Sequence, residues 1–456
     1  MVFNRKAVLA TTVLGLLFFA SCKKEVNGEI TTPTTDSTAV ASSEDLIKDS
    51  VLIYSKEIYL WYKQIPATFN PRSYDGPEEI MTAIRDYSIE PGFTDPVDRW
   101  SFAINQKEWN DISSGIAGDF GLNVFFRDAS DLRVKLVEAA SPAGVAGIRR
   151  GWRITKINGN SNITTSNVDF IVDNVFNSAN TTFTFEKPDG TTTDIVLNAA
   201  TYQENPIVLD SVYTIGTNKI GYLSFNSFLG DKTQVFNAFD AIFKKFAAQQ
   251  VTDLIVDLRY NGGGYVEYQE RLANYLAPTA ANGNVMMKQE FNDILADYNS
   301  TDNFSKVGTL NLPRLFFIVS QNTASASELL INNLKPYVDV KLIGPSNTYG
   351  KPVGYFPQPV GSWYIFPVSF RTTNKNGEGS YFNGLSLTKK VADGLDKDWG
   401  DLQESCLASA ISYITTGAFT GRASQTTFTE NTQVLKSNDV LAKPSFKGTI
   451  DARRMQ

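Results

Sequence analysis

The stretch Leu315–Leu334, LFFIVSQNTASASELLINNL, constrains the fold more than any other part of the chain. Leu315–Val319 is short, wholly apolar and partly β-branched, which suits a buried strand. Ser320–Ala324 is small and polar, as a tight loop requires. From Ser325 the apolar spacing becomes helical, with Leu329, Leu330 and Leu334 on one side. A hydroxyl therefore sits where a core strand hands over to a helix. A helix N-terminus offers unpaired N–H groups and the positive end of the dipole, a good setting for a nucleophile whose substrate oxygen gains charge. The same residues also read as a plain helix cap, with Glu328 completing a capping box. On this stretch alone both readings stand.

Composition narrows the chemistry. The 456 residues contain no histidine, so a Ser-His-Asp triad in cis and any His-ligated metal site are excluded. A serine hydrolase built from this chain needs a lysine or carboxylate base. No metal or other cofactor is expected. The net charge of −6 makes no electrostatic case for nucleic acid. The length suggests about three domains, and 42% hydrophobic residues are ample for their cores.

At the N-terminus, Arg5 and Lys6 precede an apolar run, Ala7–Phe19, too short to span a bilayer comfortably, followed by Ala20-Ser21-Cys22. This resembles a bacterial lipoprotein signal (residues 1–22) with lipid on Cys22, and implies an outer-membrane-anchored protein on the periplasmic or surface side. Residues 23–43, rich in Thr, Ser and Lys, read as a disordered tether. Cys406 falls in a helical apolar stripe and reads as core.

Residues 44–112 read as a helical domain. Apolar spacing marks a helix over 44–62, and Pro77 opens a second. Its Tyr59, Trp61 and Tyr62 suit a packing surface. Residues 113–200 change to short β runs between turns, with a Pro-Asp-Gly hairpin at 188–190. From 205 to 417 strands and amphipathic helices alternate. The strand LIVDL (254–258) runs into Arg259-Tyr260-Asn261-Gly262-Gly263-Gly264. Three glycines there make either a tight turn or a cradle of N–H groups for an anion. Lys351, between Gly350 and Pro352 and near Tyr349, Tyr355 and Phe356, is either a solvated loop lysine or a desolvated, neutral base. Residues 418–456 show little periodicity and read as a loosely packed extension.

Two resemblances join these pieces. SPAGVAGIRRGWRITKINGNS is similar to the core of bacterial PDZ domains, and GDFGLNV resembles their carboxylate-binding loop, which implies that Gly121, Leu122, Asn123 and Val124 hold a peptide C-terminus. The order DLRYNGGG, VSQNTASASELL, GKPVG resembles the C-terminal processing peptidases, or tail-specific proteases, over most of the chain from Asp98-Arg99-Trp100-Ser101 to Ile414. The helical front resembles the version found in Bacteroidetes lipoproteins. The resemblance implies a multi-domain α/β fold with a ClpP/crotonase-like core. It implies Ser325 as nucleophile and Lys351 as general base, with oxyanion donors at the backbone of Ala326 and of Gly262 or Gly263. The implied partners are proteins or peptides with free C-termini, and a membrane through the lipid anchor. One position departs from the family. Tyr355 stands where many members carry a glutamine that orients the lysine, so Tyr355 or another group must do so here, or activity is reduced. The competing reading is an inactive relative that binds peptides or apolar ligands.

Overall fold

The computed structural model describes residues 42–419, 432–442 and 446–452; Cys22, the signal and nearly all of the tether lie outside them. The chain begins with helices α1 (Ser43–Ile58) and α2 (Pro77–Ile84), strand β1 (Phe102–Asn105) and helix α3 (Gln106–Ser114). A β-rich section follows: β2 (Ile116–Asp119), β3 (Leu122–Asp128), β4 (Asp131–Val137), α4 (Pro142–Val145), β5 (Arg153–Ile157), α5 (Val168–Val175), β6 (Asn180–Glu186), β7 (Thr192–Asn198) and β8 (Ala200–Gln203). The α/β section opens with β9 (Ile207–Ile215), β10 (Asn218–Phe225), α6 (Lys232–Ala248), β11 (Asp253–Asp257), β12 (Gly263–Tyr265) and α7 (Val266–Leu276). It continues with β13 (Val285–Phe291), β14 (Ser300–Asn303), β15 (Arg314–Ile318), α8 (Ala326–Leu334), β16 (Asp339–Gly344), β17 (Val353–Tyr355), β18 (Gln358–Val360), β19 (Trp363–Phe366), β20 (Val368–Thr373), β21 (Lys389–Lys390) and α9 (Ser405–Thr416). Helix α10 (Thr432–Leu441) and strand β22 (Gly448–Ile450) end the described chain.

The α/β core is a six-stranded sheet in the order β21-β16-β15-β11-β10-β9, parallel from β10 to β21 and antiparallel only at β9. Side chains alternate across it with the two-residue period of a strand. Leu315 and Phe317 face a cluster with Phe239, Leu272 and Leu330 from α6, α7 and α8, while Phe316 and Ile318 face Cys406, Leu407 and Ala410 of α9. Cys406 is thus a core residue, as its stripe implies. Because both faces are covered, β15 can be apolar throughout.

A second sheet runs β12-β22-β17-β20-β13-β14, with β22 parallel to both of its neighbours. The C-terminal stretch expected to pack loosely therefore supplies an interior strand, and Ile450 is buried. Residues 446–452 carry too few apolar positions to betray that role in the sequence.

The front helices cover this second sheet. Val51, Ile80, Met81 and Ile84 share one cluster with Trp61, Trp100, Val353 and Phe366, and β1 pairs with β19. Tyr59 and Trp61 are buried, as the packing reading expects, and each also donates a hydrogen bond, Tyr59 to Asp98 at 2.8 Å and Trp61 to Glu90 at 2.5 Å. The β-rich section forms an antiparallel sheet β3-β4-β5-β6-β7 with its own core, including Phe126, Ile154, Ile171 and Phe183. β3 is an edge strand of that sheet.

A buried ionic cluster ties the β-rich section to the end of β11. Arg259, 1% exposed, donates to Asp257 at 2.7 Å, to Glu404 at 2.8 Å and to Asp393 at 2.7 Å. Arg150 reaches the same Asp393 at 2.6 Å and the Tyr260 hydroxyl at 2.9 Å. The two arginines hold Asp393 well below the usual carboxylate range despite its burial. Removing one member strands the others without solvent. Arg259→Met should lower unfolding free energy by about 3–5 kcal/mol in urea titrations; a loss under about 1 kcal/mol, the value of an exposed pair, would show that the cluster does not fasten the fold.

Candidate active site

Two loops leave the carboxyl ends of adjacent parallel strands, β11 and β15, and are laced together. Thr323 Oγ1 donates to the Leu258 carbonyl at 2.8 Å, the Ser320 hydroxyl donates to the Arg259 carbonyl, and Ala324 N donates to the Asn261 carbonyl at 3.0 Å. Ser327, the second serine of the motif, donates to that same Asn261 carbonyl at 3.1 Å. The Asn261 amide reaches back to Phe225 O at 3.0 Å and accepts from Gly263 N at 2.9 Å. Glycine is required here: Gly263 has φ +104°, and a Cβ on it would lie 2.3 Å from Gly448 O and 3.0 Å from Ala326 N. Of the expected oxyanion donors, Gly263 N is thus already engaged by Asn261. Ala326 opens helix α8, so its N–H has no carbonyl a turn below to pair with. Gly262 lies beside them, its carbonyl accepting from Gly448 N at 3.0 Å.

Ser325 is fully buried and sits at the helix entry with φ +57° and ψ −107°. That region is unfavourable for a residue with a Cβ and costs about 1–3 kcal/mol. The expected capping box is present, and in it Ser325 N donates to Glu328 Oε2 at 2.8 Å. The carboxylate does more than cap, however. Its Oε2 also accepts from Lys351 N at 2.9 Å, and its Oε1 accepts from Gly350 N at 2.7 Å and from Thr348 Oγ1 at 2.5 Å. One buried carboxylate therefore holds the main chain at both positions 325 and 351. Burial pushes its pKa up, against the pull of four donors. In the sequence Glu328 reads only as a cap partner; its reach to 348–351 requires the fold.

Lys351 is 1% exposed, which excludes the solvated reading. Burial drives its pKa well below the ordinary lysine value, opposed by the charges of Asp98 and Glu328. Its Nζ lies 3.3 Å from the centroid of the Tyr355 ring, and the Tyr355 hydroxyl is anchored on the Trp100 carbonyl at 2.6 Å. The residue in the glutamine's place is thus the one that backs the lysine. Asp98 is fixed by Tyr59, by Trp100 N and by Ser101 N and Oγ. Its influence on Lys351 is not legible in the DRWS motif alone.

Ser325 and Lys351 come to one buried region but do not hydrogen-bond each other. Ser325 Oγ is 2.6 Å from Thr449 Oγ1, and Lys351 Nζ donates to Lys447 O at 3.3 Å. Both partners flank or belong to β22, and nothing in the sequence points to them. Among the described residues no group of three or more His, Cys, Asp or Glu could hold a metal ion.

At the other expected site, Gly121 precedes β3 with φ +69°, and a Cβ there would meet Ser141 Cβ at 2.0 Å. Its N–H donates to Asp119 Oδ1 at 2.7 Å. Leu122 and Val124 point into the core and Asn123 is half-buried. The outer edge of β3 is not open: Phe126 N donates to Asn438 Oδ1 of α10 at 2.8 Å, and Asn438 Nδ2 donates to Phe126 O at 2.9 Å.

The sequence model described as peptidase family S41 matches residues 219–384, and that of the peptidase S41 N-terminal domain matches residues 47–102. The stretch 219–384 is thus a peptidase family S41 region, preceded by a match to that family's N-terminal domain. A candidate S41 protease from Bacteroides fragilis NCTC 9343 shares the fold at 21% identity and a TM-score of 0.65, covering 80% of this chain and 97% of its own. The photosystem II D1 C-terminal processing protease aligns at 17% identity and a TM-score of 0.46, over 77% of this chain and 94% of its own. A comparison with curated proteins found no match.

The strain at Ser325 yields a stability test. Glycine tolerates positive φ, so Ser325→Gly should be more stable than Ser325→Ala by about 1 kcal/mol. The comparison with alanine cancels the lost hydroxyl. A lower melting temperature for the glycine variant would mean that position 325 is not strained.

Proposed function

We propose that this chain is a serine endopeptidase working through Ser325 and Lys351. The observation that carries the reading is the Glu328 carboxylate, which accepts from the backbone N–H of both residues and so sets a hydroxyl and a desolvated amine in one pocket. In the reaction, neutral Lys351 takes the proton from Ser325 Oγ as the oxygen bonds to the substrate carbonyl carbon. The carbonyl oxygen becomes an oxyanion facing Ala326 N–H and the Gly262 backbone at the start of the glycine run. As the C–N bond breaks, Lys351 returns the proton to the leaving amine. Water then repeats the sequence and frees the acyl group. Tyr355 positions Lys351 by setting its ring face against the amine.

The β-rich section acts in this proposal as a PDZ domain, with β3 as the edge to which a substrate C-terminus adds as a strand. Substrates are unstructured protein tails with apolar residues. The lipidated Cys22 anchors the enzyme to the outer membrane on its periplasmic or surface side. The alternative, a binding lipoprotein without catalysis, is favoured by one observation: Ser325 and Lys351 each bond to the C-terminal strand and not to one another.

Casein or tail-peptide cleavage separates the two. Ser325→Ala and Lys351→Ala should each lower kcat/KM by roughly 10⁴-fold or more, and the double variant should lose little beyond either; residual cleavage unchanged by both substitutions would discard the dyad. Only the free amine is active, so kcat/KM should rise with pH through the depressed pKa of Lys351 and level off below the ordinary lysine range. A profile still climbing at the normal lysine pKa would contradict a desolvated base.

A further inference from the structure

The second sheet is complete only because residues 448–450 fill it. β22 lies between β12 and β17, pairing Gly448 with Gly263, Thr449 with Gly264, and Ile450 with both Tyr265 and Tyr355. Without it, β12 and β17 would each present an unpaired edge on the two sides of the candidate active site. A strand in that slot meets Ser325, Lys351 and the start of the glycine run. Gly448 N donates to Gly262 O, Lys351 Nζ donates to Lys447 O, and the Thr449 hydroxyl meets Ser325 Oγ. Gly448 O and Ala326 N both lie within 3.0 Å of one point, the Cβ position on Gly263. The segment is thus laid out as an extended peptide presented to a nucleophile and its oxyanion donors.

The same stretch of chain covers the other peptide edge. Helix α10 packs against β3 and α5. The Asn438 side-chain amide pairs with both backbone groups of Phe126, as one residue of an added strand would. Val434 and Leu441 enter the small domain's core cluster.

We propose that the stretches 432–442 and 446–451 are cis ligands of the two peptide sites, so that the folded chain is latent. This rests on the reading of Ser325 and Lys351 as the catalytic pair. The segment that fills the cleft also states what must displace it: an extended peptide with an aromatic residue two positions before a glycine. Phe446 sets its ring 5.0 Å from that of Trp109 and 6.2 Å from that of Tyr355. At Gly448 a Cβ would lie 2.0 Å from Phe446 Cζ and 2.7 Å from Tyr355 Cε2, so no larger residue fits that seat.

The collision at Gly448 supplies the test. In full-length protein carrying Ser325→Ala, a fluorescent peptide with the sequence of residues 446–451 is titrated with and without Gly448→Val, which should unseat the strand. As a second route that spares the folding step, a site-specific protease sequence is placed at 443–445 and cut after purification. Unseating by either route should tighten peptide binding by about tenfold or more, because the cis competitor is gone. Equal affinity before and after, or no binding in any form, would overturn the proposal. In protein retaining Ser325, the cut should also raise casein cleavage. Peptide binding gained without any cleavage would leave the cis ligand standing and sink the peptidase reading.

Discussion

The active-site architecture depends on one buried carboxylate. Glu328 takes hydrogen bonds from the backbone at 325, 350 and 351 and from the Thr348 hydroxyl. Residues 325 and 351 sit on loops that leave different strands of the central sheet, and neither loop has regular structure to place it. A carboxylate buried in protein must find donors or lose its charge. Here the donors it finds include the main chains of both candidate residues, Ser325 and Lys351. The interaction also explains why Ser325 can keep a positive φ: its N–H is held from the helix side while Ala324 N is held by Asn261.

Given that fixture, the absence of histidine becomes chemically coherent. A lysine is a poor base while it is charged, and burial is the means of discharging it. The burial around Lys351 comes from residues distant in sequence, including Tyr355 and the Trp100 region of the front helices. The N-terminal region is therefore part of the wall around Lys351 and not a separate appendage. The ionic cluster at Arg259 is a second fixture. It clamps the start of the glycine run to Asp393 and Glu404, and through Arg150 to the small β domain.

Much of this is legible in the sequence itself. The apolar run at 315–319 is β15, the helical stripe from 325 is α8, and LIVDL is β11, each within a residue or so, because strands buried on both faces leave continuous apolar runs. The helical front, the small β section and the α/β core follow in the expected order. What the sequence hides is whatever depends on distant groups meeting. Glu328 looks like a cap, since a cap is a local pattern and its contacts with 348–351 are not. Tyr355 looks like a defect, because its use as a platform under an amine has no signature in the chain. The strand at 448–450 is Gly-Thr-Ile, three residues with no periodicity to read, and its place is set by the gap between two other strands.

The proposed chemistry requires an uncharged amine at 351 in the folded protein. The most direct measurement is an NMR titration of the full chain with ¹³C at the lysine ε position, the Lys351 resonance being assigned by its loss in Lys351→Arg. A desolvated amine should titrate well below the pH at which the exposed lysines do, or already be in its neutral position at the lowest pH the fold survives. A Lys351 resonance that titrates together with the exposed lysines would contradict it.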